Sequence, residues 1–206
     1  MDSKFDEAYA NRKMLFGTIP TEELVYSVKK YNISGRALEV GCGDGRDIKF
    51  ILEQGLYVDG IDISTSAIHT LESRTDLEQY KDRLSCKAVD VLNFMYPVDT
   101  YDFIYGITLL DHLSEKQCCE FVKKVMLSLK TGGFALFKVH TSEDSGFTNI
   151  GTKSEFSSEI KHYFKEKELI HLFDDYELLL YIKCNELDCD HGAPHIHSFA
   201  TILIRR

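Results

Sequence analysis

A glycine-rich turn between a buried strand and a helix is the feature that most limits what this chain can fold into. The apolar run 36–40 has the pattern of a buried strand, residues 47–54 have that of a helix, and Gly41, Gly43 and Gly45 stand between them. Glycines at these points let the backbone turn sharply and approach a ligand, and the following helix presents unpaired N–H groups. The sequence therefore predicts a cofactor site at this turn.

The spacing of the glycines separates the cofactors that such a turn can serve. A dinucleotide fingerprint, GxGxxG, would place its third glycine at position 46, where this chain has arginine. Glu39 also brings negative charge to a place where a pyrophosphate would be repelled. A nicotinamide-dependent dehydrogenase is therefore disfavoured. S-adenosylmethionine, which carries a sulfonium and an ammonium group and no phosphate, fits better.

Two further carboxylates follow the next two predicted strands. Asp62 ends the second strand, where it can accept hydrogen bonds from both ribose hydroxyls, and Asp90 ends the third, where it can accept from the adenine amino group. Ligands of open parallel sheets bind at the carboxyl ends of the strands, so Glu39, Asp62 and Asp90 should converge. Each acid alone is explained by a helix cap or a solvated loop, but three together predict an adenosine site.

Strand and helix patterns alternate along most of the chain. The predicted strands are 36–40, 56–61, 84–89, 101–105, 134–139, 176–184 and 196–204. The predicted helices are 5–14, 21–31, 47–54, 66–73, 114–130 and 158–166, with Thr21 and Ser114 as N-caps and residues 131–133 as a break. The alternation predicts a parallel α/β sheet. The last two strands have no room for a helix between them and should form an antiparallel hairpin at one edge.

These motifs together resemble those of class I S-adenosylmethionine-dependent methyltransferases, and the chain is most similar to the small tellurite-resistance-type members. The segment 39–46 resembles their first motif, 101–104 the strand-four motif, and 129–133 the glycine turn before strand five. The resemblance implies a Rossmann-like, mostly parallel sheet of seven strands in the order 3-2-1-4-5-7-6. It also implies a set of cofactor-binding residues: Glu39, Gly41, Cys42, Gly43, Gly45, Asp62, Ile63, Asp90, Val91 and Gly106.

The methyl acceptor is expected beyond strands four and five. Asp111 and His112 follow strand four, next to the expected methyl group, and are candidates to orient the acceptor or remove its proton. They could equally cap the following helix and line the cofactor. His140 ends strand five, and the loop after it commonly covers the acceptor in this family, which makes His140 a third catalytic candidate.

The stretch 188–197 is unusually rich in metal-ligand side chains. If the last strand begins at His195, then His195 and His197 project to the same face, and His191 can fold over from the turn. Such a set has ligand chemistry for zinc, iron or another transition metal. It could also form a cationic pocket for an oxyanion, or a polar turn with surface histidines.

The composition of the chain limits which partners it can bind. The 206 residues carry a formal net charge of −9 and no basic stripe, which disfavours nucleic acid. No apolar run is long enough to cross a bilayer and no targeting segment precedes the fold, so we expect a cytoplasmic protein with six reduced cysteines. We expect a monomer or homodimer acting on a small-molecule acceptor.

We expect a single domain over residues 1–206, with a helical cap at 1–32 and a Rossmann-like core at 33–206. Aromatic residues such as Phe5 and Tyr9 suggest that the cap acts as a lid over the ligands. The alternative to an enzyme is a non-catalytic module that binds adenosylmethionine or a metal and retains the methyltransferase fold.

Overall fold

The computed structural model describes residues 4–147, 161–188 and 195–206. The strands are β1 (Arg36–Val40), β2 (Tyr57–Asp62), β3 (Leu84–Ala88), β4 (Tyr101–Ile107), β5 (Leu129–His140), β6 (Glu177–Asp188) and β7 (His195–Arg205). The α-helices are α1 (Lys4–Asn11), α2 (Glu22–Lys30), α3 (Ile48–Glu53), α4 (Thr65–Glu72), α5 (Glu115–Ser128) and α6 (Glu168–His171). Short 3-10 helices cover Thr75–Arg83 and Leu110–His112. Among these helices, none has the length and apolar character that spanning a membrane requires.

The strands form one sheet in the order β3-β2-β1-β4-β5-β7-β6, which confirms the predicted fold class. The strands from β3 to β5 pair in parallel. β7 lies antiparallel to both β5 and β6, so the predicted terminal hairpin is confirmed. Among the described strands, β7 alone therefore runs against the direction of the others.

The sheet is buried on both faces because its central strands are apolar at successive positions. In β4, Phe103 and Tyr105 point into the layer formed with α2, α3 and α4, whereas Ile104 points into the layer formed with α5 and α6. All three side chains are fully buried. This two-sided core fixes the height and tilt of the strands, and with them the positions of the residues at the strand ends.

Hydrogen bonds at two helix N-termini fix where the chain leaves the sheet. The Ser64 hydroxyl accepts from the backbone N–H of Ala67 and begins α4. Ser114 forms a capping box with Gln117 at the start of α5, as the sequence predicts for Ser114. Thr21 occupies the N-cap position of α2, but its hydroxyl donates to Asp47 instead of accepting from the helix. That bond joins the starts of α2 and α3.

Two predicted boundaries were wrong. β5 begins at Leu129, so residues 129–133 belong to the strand, with a shift in its register against β4 between Tyr101 and Phe103. The helix predicted at 158–166 lies partly outside the described residues. Within the described part, residues 161–166 are not helical, and Phe164 instead forms a bridge with Thr141 at the end of the sheet.

One edge of the sheet gathers the residues of interest. The parallel strands β1, β2, β4 and β5 all end there. Because β7 runs the opposite way, its beginning lies at the same edge, where Phe199 pairs with His140. The fold therefore brings the glycine turn, the residues after β4 and β5, and the histidines of β7 to one place.

Candidate functional site

The glycine-rich turn has left-handed backbone at Gly41 and Gly43, whose φ angles are 73° and 52°. Its N–H groups are used inside the protein. Gly41 and Cys42 donate to the carbonyl of Ile61 at 2.8 and 3.0 Å, and Gly43 donates to the Asp62 carboxylate at 2.8 Å. A pyrophosphate site needs such groups turned towards the ligand. The turn is therefore unsuited to phosphate.

Asp62 lies at the end of β2 beside this turn and is 7% exposed. Burial raises the pKa of its carboxyl, against the opposing effect of hydrogen bonds from the backbone N–H groups of Ser64 and Gly43. The next side chain, Ile63, is 51% exposed. A carboxylate and an exposed apolar side chain in succession can serve a ribose and the face of an adenine.

Glu39 lies deeper than the sequence suggested. It is 3% exposed, and its carboxylate accepts a hydrogen bond of 2.9 Å from the Tyr105 hydroxyl. Burial, with the nearby carboxylate of Asp47, raises the pKa of Glu39 well above its usual range. The backbone N–H groups of the turn are already hydrogen-bonded inside the protein. This excludes pyrophosphate more firmly than the charge of Glu39 does. In this structure Glu39 supports the turn from within the core.

Asp90 lies two residues beyond β3 and is half-buried. Its carboxylate accepts from the backbone N–H of Leu92 at 2.8 Å and from the Asn93 amide at 3.3 Å. Val91 is 6% exposed and packs into the core. Asp90 therefore lies just beyond the strand that the sequence predicted it to end, and the Val91 side chain belongs to the core.

Three other residues of the implied cofactor set have packing roles. The Cys42 side chain is buried, so only its backbone belongs to the turn. A Cβ at Gly45 would lie 2.4 Å from Leu71. A Cβ at Gly106 would lie 2.8 Å from the side chain of Val40, within the sheet. Close strand packing therefore explains why residue 106 is a glycine, and Gly106 is buried in the sheet.

Helix α1 lies across the glycine turn. The Tyr9 hydroxyl sits 2.3 Å from the position that a Cβ at Gly43 would occupy, and Tyr9 is 6% exposed. Asp6 accepts from the Ser64 hydroxyl at 2.9 Å and from the Ser66 N–H at 2.8 Å, at the start of α4. These contacts hold the helix against the cofactor edge, where the sequence predicted a lid.

The residues around the turn fit S-adenosylmethionine. The carboxyl groups of Asp44 and Asp62 are buried beside it, and the guanidinium of Arg46 is paired with Asp47 at 2.9 Å. An acidic environment attracts a ligand with sulfonium and ammonium groups and repels phosphates. The negative charge around the turn and the hydrogen bonds that its backbone N–H groups make inside the protein therefore both favour S-adenosylmethionine.

Asp111 and His140, two of the three predicted catalytic residues, are in contact. The Asp111 carboxylate lies 2.6 Å from Nδ1 of His140 and also accepts from the His140 backbone N–H at 3.1 Å. Asp111 is fully buried and His140 is 7% exposed. Leu109, two residues before Asp111, lies 3.2 Å from the Cβ position of Gly41. The pair is thus adjacent to the cofactor turn.

His112, the third candidate, turns away from this pair. Its ring packs edge-on against Phe5 of α1, with 5.0 Å between ring centroids. No group in the described residues hydrogen-bonds its buried Nδ1. Burial lowers the pKa of His112 and so favours the neutral form of the ring. His112 belongs to the contact between α1 and the segment after β4.

The histidines of β7 lie beside the Asp111–His140 pair. As predicted, His195 and His197 project to one face, with their Nε2 atoms 3.0 Å apart. The His197 ring lies 5.0 Å from that of His140, and its Nδ1 is 2.9 Å from the Asp144 carboxylate. His191, the remaining predicted metal ligand, lies outside the described residues.

Asp144 is the site residue that the sequence reasoning missed. Its carboxylate also accepts from the backbone N–H groups of Ser198 and Gly146, at 2.9 and 2.7 Å. Burial raises the pKa of Asp144, but these bonds and that from His197 outweigh it and bring the value to about 2. The available signal was its place in the loop after β5, which the resemblance puts over the acceptor.

Comparison with known proteins agrees with the geometry. Residues 4–188 match the family model described as tellurite resistance protein TehB. The crystal structure of TehB from Haemophilus influenzae superposes with a TM-score of 0.75 at 21% identity, covering 98% of this chain and 67% of that one. A SAM-dependent methyltransferase from Methanosarcina mazei gives 0.68 at 17% identity, covering 91% and 99%. At these identities the two structures show the shared fold.

Curated relatives match at low identity. The ubiquinone biosynthesis O-methyltransferase of Coxiella burnetii is 26% identical over 115 residues, which are 55% of this chain and 47% of that protein. Phosphoethanolamine N-methyltransferase 3 of Arabidopsis thaliana is 28% identical over 153 residues, or 71% of this chain and 31% of that one. The chain spans less than half the length of these relatives, so their acceptors do not transfer to it.

Proposed function

The chain belongs to the TehB family of class I S-adenosylmethionine-dependent methyltransferases, and on that premise we propose that it methylates a small-molecule acceptor held at the Asp111–His140 pair. The observation that carries the proposal is the 2.6 Å contact between this pair's side chains, next to the cofactor turn. The bound cofactor supplies an electrophilic methyl group on its sulfonium.

The position of the pair supports this assignment. Leu109 touches the glycine turn at Gly41, and Asp111 follows two residues later on the same 3-10 segment. Methyl transfer is an in-line displacement, so the acceptor atom must approach from beyond the turn on the side of the transferred group. The ends of β4 and β5 offer the site from which a small acceptor can reach it.

The pair is also built to move a proton. The Asp111 carboxylate accepts from Nδ1 of His140, which fixes the neutral ring as the tautomer with its lone pair on Nε2. That nitrogen can then take a proton from an acceptor hydroxyl, thiol or amine. Burial of Asp111 keeps water from competing for its hydrogen bonds.

The structure around the pair favours a small acceptor. Helix α1 lies over the glycine turn through Tyr9 and Asp6, and Phe5 packs on His112. These contacts narrow the access to the cofactor edge on the side of the N-terminus. The formal charge of −9 further disfavours a nucleic-acid acceptor.

Calorimetry and a turnover assay test the proposal. Protein freed of copurified cofactor should bind S-adenosylmethionine and S-adenosylhomocysteine with micromolar affinity. Formation of S-adenosylhomocysteine is then followed with a panel of small phenols, thiols, amines and oxyanions in the presence of a chelator. His140→Gln should keep cofactor binding and lose turnover, while the matched variant His69→Gln, on the exposed face of α4, should change neither.

Two results would overturn the proposal. Absence of binding for both cofactor forms would remove its premise. Full turnover by His140→Gln would remove the pair from the reaction. Cofactor binding with no turnover for any acceptor class would favour the alternative of a non-catalytic binding module.

A further inference from the structure

A cluster of histidines and carboxylates at the end of the sheet has the composition of a transition-metal site. We propose that His140, Asp144 and His197 bind one divalent transition-metal ion. One potential ligand atom from each of these three residues lies within 4.8 Å of the others. This inference concerns a second ligand of the site, and it is independent of whether the chain transfers methyl groups.

The two histidines of β7 already have the spacing of a ligand pair. Their Nε2 atoms are 3.0 Å apart. Two imidazole nitrogens bound tetrahedrally to one zinc ion, each about 2.0 Å from it, lie roughly 3.3 Å apart. The Asp144 carboxylate and Nδ1 of His197 are similarly close, 2.9 Å apart. An ion bound between these two atoms takes the place of the proton that they share in its absence.

Asp111 orients the His140 ring in the way that a metal-binding histidine requires. Its carboxylate lies 2.6 Å from Nδ1 of His140. A metal-bound histidine usually donates its other N–H to such a carboxylate, which fixes the ring and raises its basicity. The His140 ring is thereby left with Nε2 as the nitrogen that can bind an ion.

The rest of the cluster is rigid enough to form a site. Asp144 is 4% exposed and is held by the N–H groups of Ser198 and Gly146. The His140 and His197 rings both pack on Phe199, with centroid separations of 4.4 and 5.8 Å. Imidazole donors with a carboxylate suit zinc or a similar ion rather than magnesium or calcium, which prefer oxygen ligands.

Metal binding and methyl transfer compete for one atom. Nε2 of His140 is the nitrogen assigned above to take the acceptor's proton, and an ion bound there removes its lone pair. We therefore expect added zinc to inhibit turnover, and a chelator to restore it. The inhibition should depend on His197, which contacts the ion but not the proton.

Zinc binding to tag-free, chelator-treated protein tests the site directly. Calorimetry and elemental analysis after gel filtration should give one equivalent of zinc in the absence of cofactor and acceptor. His197→Gln should weaken binding roughly 100-fold or more, and Asp111→Asn about 10–100-fold because it only orients a ligand. His69→Gln should bind as the wild type does.

The outcomes separate this inference from the proposed function. S-adenosylmethionine binding shows that each variant is folded, and turnover in chelator reports the methyltransferase alone. Absence of stoichiometric zinc, unchanged zinc affinity in His197→Gln, or binding of phosphate and selenite in place of zinc would overturn the metal site. Zinc binding that leaves turnover unchanged would overturn its placement at His140.

Discussion

The Tyr9 hydroxyl lies directly over Gly43, 2.3 Å from where a Cβ atom at residue 43 would be. The first helix of the chain and the glycine turn of the cofactor site are therefore in contact without any intervening side chain. Because Gly43 also has a φ of 52°, this position combines a backbone constraint with a steric one.

Replacing Gly43 with alanine should displace α1 and weaken cofactor binding. The left-handed backbone alone costs roughly 1–2 kcal/mol for a residue with a Cβ, and the methyl group meets Tyr9. Calorimetry should show weaker S-adenosylmethionine binding in Gly43→Ala. The double variant Gly43→Ala/Tyr9→Ala removes the steric part and should recover some of the affinity. Equal affinity in the two variants would show that Tyr9 does not constrain the turn.

Replacing Asp111 with asparagine should reduce turnover by a factor on the order of 10²–10⁴, the usual contribution of a proton-transfer group. An amide can donate to Nδ1 of His140 and so favours the wrong tautomer. Cofactor affinity should stay unchanged. The double variant Asp111→Asn/His140→Gln should lose no more turnover than His140→Gln alone, whereas additive losses would separate the two roles. Asp174→Asn, at an exposed position, is the matched control.

The topology could be predicted because its determinants are local. The alternation of strand and helix patterns and the glycine turn at 41–45 define the sheet, and the period of two along a strand puts His195 and His197 on one face. Asp62 was predictable for the same reason, because a residue that ends a parallel strand lies at the ligand edge.

The rest of the site depends on contacts between distant residues. Asp144 and His197 are 53 positions apart in the sequence. They come into contact because β7 runs antiparallel to β5. Asp111 and His112 are neighbours in sequence, yet they separate because consecutive side chains of a 3-10 helix point about 120° apart. Sequence spacing alone could not choose which of the two would face His140.

Replacing Asp62 with asparagine should weaken S-adenosylmethionine binding roughly 10–100-fold. Hydrogen bonds to a charged group contribute about 1.5–3 kcal/mol, and the ribose hydroxyls would lose their charged acceptor. The matched control is Asp59→Asn, three residues earlier on β2, where the carboxylate pairs with Arg36 at 2.8 Å. Isothermal calorimetry checks both variants. Equal affinity in wild type and Asp62→Asn would remove Asp62 from the cofactor site.

Two adjacent cysteines should differ in reactivity. Cys118 is fully buried on α5, and burial raises the pKa of its thiol to about 12, whereas Cys119 is exposed. A thiol with that pKa is about one part in 10⁴ thiolate at pH 8. Iodoacetamide should therefore label Cys119 in the native protein and both residues in urea. Peptide mass spectrometry distinguishes the sites, and native labelling of Cys118 would contradict its burial.

Lys138 forms a buried ion pair whose loss should destabilise the fold. Its ammonium lies 3.2 Å from both carboxylate oxygens of Glu23 and also contacts Glu186, and Lys138 is 5% exposed. Lys138→Met leaves the buried Glu23 carboxylate without its charged partner, which typically costs about 3–5 kcal/mol. The double variant Lys138→Met/Glu23→Gln should recover much of that loss. Lys130→Met, which removes an exposed pair with Asp102, should cost less than about 1 kcal/mol.

The same pair sets a pH window for this stability. Burial alone would lower the pKa of Lys138 and raise that of Glu23. The contacts of Lys138 with Glu186 and Glu23 outweigh burial and raise its pKa from 10.5, and the charge of Lys138 lowers the pKa of Glu23 from 4.5. The lysine contribution is complete below pH 10.5 and is lost as pH rises through the folded value. The glutamate contribution is complete above pH 4.5 and is lost as pH falls through its folded value. Urea unfolding across pH should therefore show a difference between wild type and Lys138→Met that is largest between these limits and shrinks beyond them. A difference that stays constant with pH would mean that packing, not charge, explains the effect.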